Sequence, residues 1–292
     1  MLPQLVVNGI VVGSIYALVA AGLGLVYFVT KFFHFAHAIV FAAGAYCAYV
    51  FCSCLGLPIL PSVVLAVIAS AGGGGMIELA IYRPLRRKGA SSLMLLLASL
   101  GLYVVLQNIL SLAFGDNART IRPSGFAESV CVLGARMTPI QCVIVILVFV
   151  VIATLATLLK TTRIGRAVRA VQSDSELARV SGVDSEALVL LVFVVASALG
   201  GLAGILASLD VDMTPGMGMS VVMMAIVSVV IAGKGSLLGI WLGSLLVGLA
   251  QHLAVWKIDA KWQDCLAFVI LLSFLLFRPQ GFFGKAVKKA TV

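Results

Sequence analysis

The sequence predicts an all-α integral membrane protein, a polytopic helical bundle with eight or nine transmembrane segments, some of them broken or short. Three observations carry this. Of 292 residues, 62% are hydrophobic and only 11% charged, with a mean hydropathy of +1.18, which is more apolar surface than one soluble core can hide. Several apolar runs reach about 20 residues, the length that crosses a hydrocarbon layer of roughly 30 Å as a helix. Those runs are continuous and do not alternate with period two, which favours helices over a barrel.

Spans are expected near 5–29, 35–55, 58–82, 93–114, 140–160, 187–209, 218–232, 236–256 and 262–277. No basic segment precedes the first run and no small-residue cleavage pattern follows it, so it is expected to be a span and not a removable signal. The seventh, with about 15 residues, is either a short crossing or a re-entrant half-helix.

A formal charge of +9 fits either a nucleic-acid partner or a membrane protein that gathers Lys and Arg on its cytoplasmic side. Position decides. Lys31, the group Arg83, Arg86, Arg87 and Lys88, the group Lys160, Arg163, Arg166, Arg169 and Arg179, then Lys234, Arg278, Lys285, Lys288 and Lys289 all fall on one side. They make 15 of the 20 Lys and Arg, against Arg119, Arg122, Arg136, Lys257 and Lys261 on the other. The larger group is expected to be cytoplasmic, with the N-terminus outside and the C-terminus inside. That parity requires the seventh segment to cross. The external stretch 115–139, with Asp116, Asn117, Pro123, Ser124 and Gly125, reads as a polar loop on which a partner can land.

The cytoplasmic segment 161–186 is expected to be more structured. Ser173-Asp174-Ser175-Glu176 fits a capping box, in which the serine hydroxyl takes a free helix N–H and the glutamate reaches back. A helix of about eight residues, roughly 12 Å, then runs to Gly182, which supplies a left-handed stop. So short a helix needs a docking surface. Upstream, Arg163, Arg166 and Arg169 recur around Gly165. Two readings stand: a solvated basic stretch at the headgroups, or a coupling segment formed by Arg166, Arg169, Glu176, Leu177, Ala178, Val180 and Gly182 that docks on a cytoplasmic motor. The chain carries no P-loop: Gly233-Lys234-Gly235-Ser236 has Gly where Ser or Thr must follow the Lys. Any ATP hydrolysis therefore belongs to another chain.

Gly9 and Gly13, Gly200 and Gly204, and Gly239 and Gly243 each form G-x-x-x-G, a face that lets helices approach closely in lipid. The run Gly72 to Gly75 costs helix propensity of about 1 kcal/mol per residue against Ala, and predicts a kink or unwound turn in the third span. Thr214 to Gly218 and Ala232 to Ser236 interrupt the apolar pattern on either side of the seventh segment, a feature that by analogy with secondary transporters points to a pathway.

Ionisable groups at mid-depth are nearly missing, which disfavours proton coupling. Asn8, Tyr16, His37, Gln107 and Asn108 are the pathway candidates, able to solvate a passing zwitterion or to bond a neighbouring helix. His34 and His37 read as an interfacial histidine pair more readily than as a metal site. The six scattered cysteines read as small hydrophobes, so no metal is expected. No Ser–His pair, paired Asp or H-E-x-x-H offers an intramembrane enzyme, so the chain is expected not to be one. A charged channel filter is also missing.

Six motifs in order resemble the permease subunits of branched-chain amino acid ABC importers, with urea and amide permeases closely related. They are Gly13-Ser14-Ile15-Tyr16-Ala17-Leu18, Phe35-Ala36-His37, Glu78 with Tyr82-Arg83-Pro84-Leu85-Arg86, Gly165 to Ala170 with the capped helix to Gly182, Gly233 to Gly239, and Arg278-Pro279-Gln280-Gly281-Phe282-Phe283-Gly284. The second departs from the family's N-F-A-H-G-E, with His34, Ala38 and Val40 in place of or displacing the usual Asn, Gly and acid. The resemblance implies one transmembrane permease domain over 1–292 in a bacterial inner membrane, carrying branched-chain or other hydrophobic amino acids. It also implies a second homologous permease chain, two cytoplasmic ATPase subunits holding ATP and Mg, an external substrate-binding protein, and no cofactor on this chain.

Overall fold

The computed structural model describes residues 2–121, 130–132, 134–233, 236–257 and 259–277. Arg122, Pro123, Ser124, Gly125, Lys234, Gly235 and the tail from Arg278, with its motif and its basic residues, lie outside the described residues.

All nine expected spans are helical. They are α1 (Leu2–Thr30), α2 (His37–Tyr49, continued by π-type turns over Val50–Cys54), α3 (Ile59–Ile77, continued by π-type turns over Glu78–Tyr82 into α4, Arg83–Arg87), α5 (Ser92–Phe114) and α6 (Pro139–Thr161). After the short helices α7 (Arg163–Ser173) and α8 (Ser175–Val180) come α9 (Ser185–Asp210), α10 (Gly218–Ala232), α11 (Leu237–Ala254) and α12 (Gln263–Phe277). Among the described residues seven helical stretches are long and apolar enough to cross a membrane, and α10 and α12 are shorter apolar helices. At 15 residues, α10 extends about 22 Å.

Helix ends follow local chemistry. Thr138 and Gln141 form a reciprocal capping box ahead of Pro139 at the start of α6. Ser91 and Ser236 cap α5 and α11 by accepting from Met94 and Gly239 backbone N–H groups. Gly115 and Gly233, at φ of 76° and 77°, close α5 and α10 in a conformation that favours glycine.

α1 is apolar on every side and mostly buried, which places it at the centre. α9, α10 and α11 surround it, α2 lies against α9 and α10, and α3 packs on α2 and α9. α5 and α6 are largely exposed apolar helices on the outside. The three G-x-x-x-G faces sit at helix contacts. A Cβ on Gly9 would come 2.9 Å from Leu249 Cα of α11, one on Gly44 would come 2.5 Å from Gly201 Cα, and one on Gly243 would come 3.0 Å from the Ser228 carbonyl of α10. Gly204 lies against the Phe41 backbone of α2.

The glycine run does not unwind α3. Gly72 to Gly75 stay α-helical, and the departure from α geometry begins only at Glu78. Tertiary packing offsets the propensity cost at half of the run: Gly74 lies against Ser197 and Gly75 against Val194, both of α9, whereas Gly72 and Gly73 have open space beside them. At both described ends of the stretch 115–139 the chain is tied to the helices. Arg119 exchanges backbone bonds of 3.0 and 2.8 Å with Met213, and its guanidinium donates to the Phe114 carbonyl at 2.7 Å and the Tyr49 hydroxyl at 2.9 Å. A short antiparallel ribbon, β1 (Val130–Val132) and β2 (Ala135–Met137), is tied to the start of α1 because Arg136 and Gln4 exchange bonds of 2.9 and 3.0 Å.

Candidate functional site

The segment between α6 and α9 forms two helices where one was expected. Thr162 caps α7 by accepting from the Gly165 N–H at 3.1 Å, so Arg163, Arg166 and Arg169 stand on a helix whose other side buries Gly165, Val168 and Val171. Arg169 donates to the Leu159 carbonyl at the end of α6. The expected capping box at Ser173 does not form. Ser173 is the last residue of α7, and Asp174 caps α8 instead, its Oδ1 accepting from Glu176 and Leu177 N–H groups at 2.9 and 3.0 Å. Asp174 takes the cap because it stands just ahead of α8, whereas Ser173 is already held in α7. α8 has six residues and ends before Gly182, whose φ of 86° reverses the chain into α9.

Within α8 the apolar side chains divide differently from expectation. Ala178 is 4% exposed, turned onto its own chain, while Leu177 is 65% and Val180 84% exposed. Leu177 and Val180, three residues apart, therefore make the free apolar face, with Glu176 exposed beside them.

Behind α8, charge ties α4 to α9. Glu186, in the first turn of α9, accepts from Arg83 Nε at 2.7 Å and from Arg87 Nε at 3.0 Å. Glu78, 1% exposed, pairs with both terminal nitrogens of Arg86 eight residues later. Breaking a buried pair of this kind by removing one partner costs about 3–5 kcal/mol. The π-type turns over Glu78–Tyr82 rotate both Glu78 and Tyr82 inward, where both are buried.

The histidine pair is buried inside the bundle. His34 and His37 are essentially unexposed. His34 Nδ1 and the Tyr82 hydroxyl are 2.9 Å apart, and the Phe35 N–H donates to Ser99 at 3.1 Å. The His37 ring fills the gap left by two glycines, Gly22 of α1 and Gly200 of α9. Helix packing on every side excludes both rings from water, and this burial, with His37 second, holds His34 well below the ordinary histidine range. Among the described residues no group of three or more His, Cys, Asp or Glu is placed to hold a metal.

The remaining pathway candidates do not converge. Asn8 accepts from Gln4 at 3.1 Å on α1, and Asn108 donates to the Val104 carbonyl of its own helix on the exposed side of α5. Tyr16 packs near Met224, Val247 and Ala267, and Gln107 lies near Gly216. A larger concavity of about 430 Å³ opens between α2, α3 and α5, lined by Val40, Cys47, Ser70, Gly73, Leu106 and Phe114 among others, and is almost wholly apolar. Sequence reasoning missed Glu186 as a bridging acid. Its partners Arg83 and Arg87 are about 100 residues away, and only the arginine cluster itself was a signal.

Seven long apolar helices, two shorter ones and tight glycine contacts define a polytopic helical membrane protein. The family model described as "Branched-chain amino acid transport system / permease component" matches residues 5–275, so the chain belongs to that family. It is 32% identical to the high-affinity branched-chain amino acid transport system permease protein BraD of Pseudomonas aeruginosa over 97% of this chain and 95% of that protein. It is 29% identical to the corresponding LivH of Escherichia coli, again over 97% and 95%. The solved structure of PsaBC from Streptococcus pneumoniae in complex with Fab matches with a TM-score of 0.52 at 12% identity, covering 94% of this chain and 92% of that one, a likeness of fold alone.

Proposed function

We propose that the chain is one permease subunit of an ATP-driven importer that carries branched-chain amino acids across a bacterial inner membrane. The observation that carries this is the family match across residues 5–275. Relatives named as branched-chain amino acid permeases at 29–32% identity over nearly the full length support the substrate class and leave the urea or amide reading without support. In this reading a second homologous permease chain completes the translocator. ATP and Mg are held by two cytoplasmic ATPase subunits, and a substrate-binding protein delivers the amino acid from outside, where the N-terminus lies.

Leu177 and Val180 are the contact for the ATPase. They are apolar side chains on the water side of a six-residue helix that needs docking to persist. Motion of α8 passes to α9 through the Gly182 turn and to α4 through Glu186 with Arg83 and Arg87. The test is to purify the chain with its native partners in mild detergent, identify them by mass spectrometry, and titrate the recovered binding protein with leucine, valine, urea and acetamide. A P-loop ATPase, a second permease and a leucine- or valine-binding protein are expected. Absence of the ATPase, or a binding protein that takes only urea or acetamide, contradicts the reading.

A further inference from the structure

A groove of about 350 Å³ lies between the start of α7 and the first two turns of α9. Ile164, Ala187, Leu188 and Leu191 line its apolar part, and Arg163 and Asp184 stand in its wall. Ile164 is 50% and Leu191 39% exposed, so apolar surface faces outward beside two charges. The groove lies where α9, a helix long and apolar enough to cross a membrane, begins. Leu188 and Leu191 belong to a span, while α7 is amphipathic, burying Gly165, Val168 and Val171 and exposing its arginines, the character of a helix lying in the headgroup plane.

The two charges are available. The three ion pairs among the described residues engage Arg83, Arg86 and Arg87 with Glu186 and Glu78, and neither Arg163 nor Asp184 takes part. Asp184 uses Oδ1 to cap α9, accepting from Glu186 and Ala187 N–H groups at 3.0 and 3.1 Å, and no described side chain bonds its Oδ2. A guanidinium forks onto a phosphate, and a carboxylate accepts from a primary ammonium. One charge of each sign beside an acyl-sized apolar wall matches a molecule carrying a phosphate, an ammonium and a hydrocarbon chain.

We propose that this groove holds a zwitterionic phospholipid of the phosphatidylethanolamine type, with its phosphate on Arg163, its ammonium on Asp184 and an acyl chain against Ile164, Leu188 and Leu191. The site does not depend on the transport substrate, nor on the ATPase contact, which lies on α8. The test is native mass spectrometry of the full chain in detergent, titrated separately with dioleoyl-phosphatidylethanolamine, dioleoyl-phosphatidylglycerol and dioleoyl-phosphatidylcholine. Phosphatidylethanolamine should be retained best, and Arg163→Gln should lower its retention about fivefold, the weight of one interfacial basic contact. Asp184→Asn keeps the helix cap and should erase the preference for phosphatidylethanolamine over phosphatidylcholine, whose quaternary ammonium donates no hydrogen bond. Equal phosphatidylethanolamine retention by wild type and Arg163→Gln, or a wild-type preference for phosphatidylglycerol, overturns the proposal.

Discussion

Gly44→Ala and Gly72→Ala make one chemical change in two membrane helices, and their contacts set opposite outcomes. Replacing a helix-interior Gly by Ala gains about 1 kcal/mol of helix propensity. At Gly72 nothing lies within 4 Å of the new methyl, so the gain stands. At Gly44 the methyl would sit 2.5 Å from Gly201 Cα and 2.9 Å from its carbonyl carbon, where carbon atoms rest at about 3.5–4.0 Å. Backbone cannot rotate away, and Gly204 against Phe41 and Gly200 against His37 hold the same pair of helices at the same spacing. Overpacking costs about 1–3 kcal/mol. With backbone on both sides the upper end applies, leaving Gly44→Ala about 2 kcal/mol less stable and the two variants about 3 kcal/mol apart. Thermal unfolding of the purified chain in dodecyl maltoside, followed by tryptophan fluorescence, should place Gly72→Ala above wild type and Gly44→Ala several degrees below. A Gly44→Ala midpoint at or above that of Gly72→Ala would refute the packing argument.

Replacing Leu177 and Val180 together by Glu should leave membrane levels near wild type but remove the ATPase subunits on co-purification, because the change touches only exposed side chains. Ala178→Arg should instead lower the amount of folded chain, since it forces an unpaired charge into a buried position, at a cost of several kcal/mol; unchanged co-purification in the first variant removes α8 from the coupling role. For orientation, Asn117→Cys should react with a membrane-impermeant maleimide in intact cells, and Ser181→Cys only after permeabilisation. The reverse pattern overturns the assignment of sides.

The spans were legible because each is a long apolar run, and their predicted limits lie within a few residues of the helices. The close-contact glycines were legible at Gly9, Gly13, Gly200 and Gly204, where small residues repeat every four positions on one face. Other features depended on which neighbour a residue meets, which sequence spacing does not encode. The run Gly72 to Gly75 stays helical with Gly74 and Gly75 packed on α9, and Ala178 turns inward although Leu177 and Val180 beside it do not. His34 lies at the edge of an apolar run, and its spacing did not reveal that Tyr82, at the end of α3, and Phe193, of α9, close over it. Asp174 took the cap from Ser173 because α7, a helix the basic spacing did not reveal, claims Ser173 as its last residue.

Uptake of labelled leucine into proteoliposomes tests the central claim most directly, with this chain reconstituted alongside its second permease, ATPase subunits and binding protein. The account predicts accumulation only when ATP is present on the ATPase side and the binding protein on the other, and none by this chain alone. Uphill leucine uptake by this chain alone on a pH gradient, or equal accumulation by the complex with and without ATP, would contradict it.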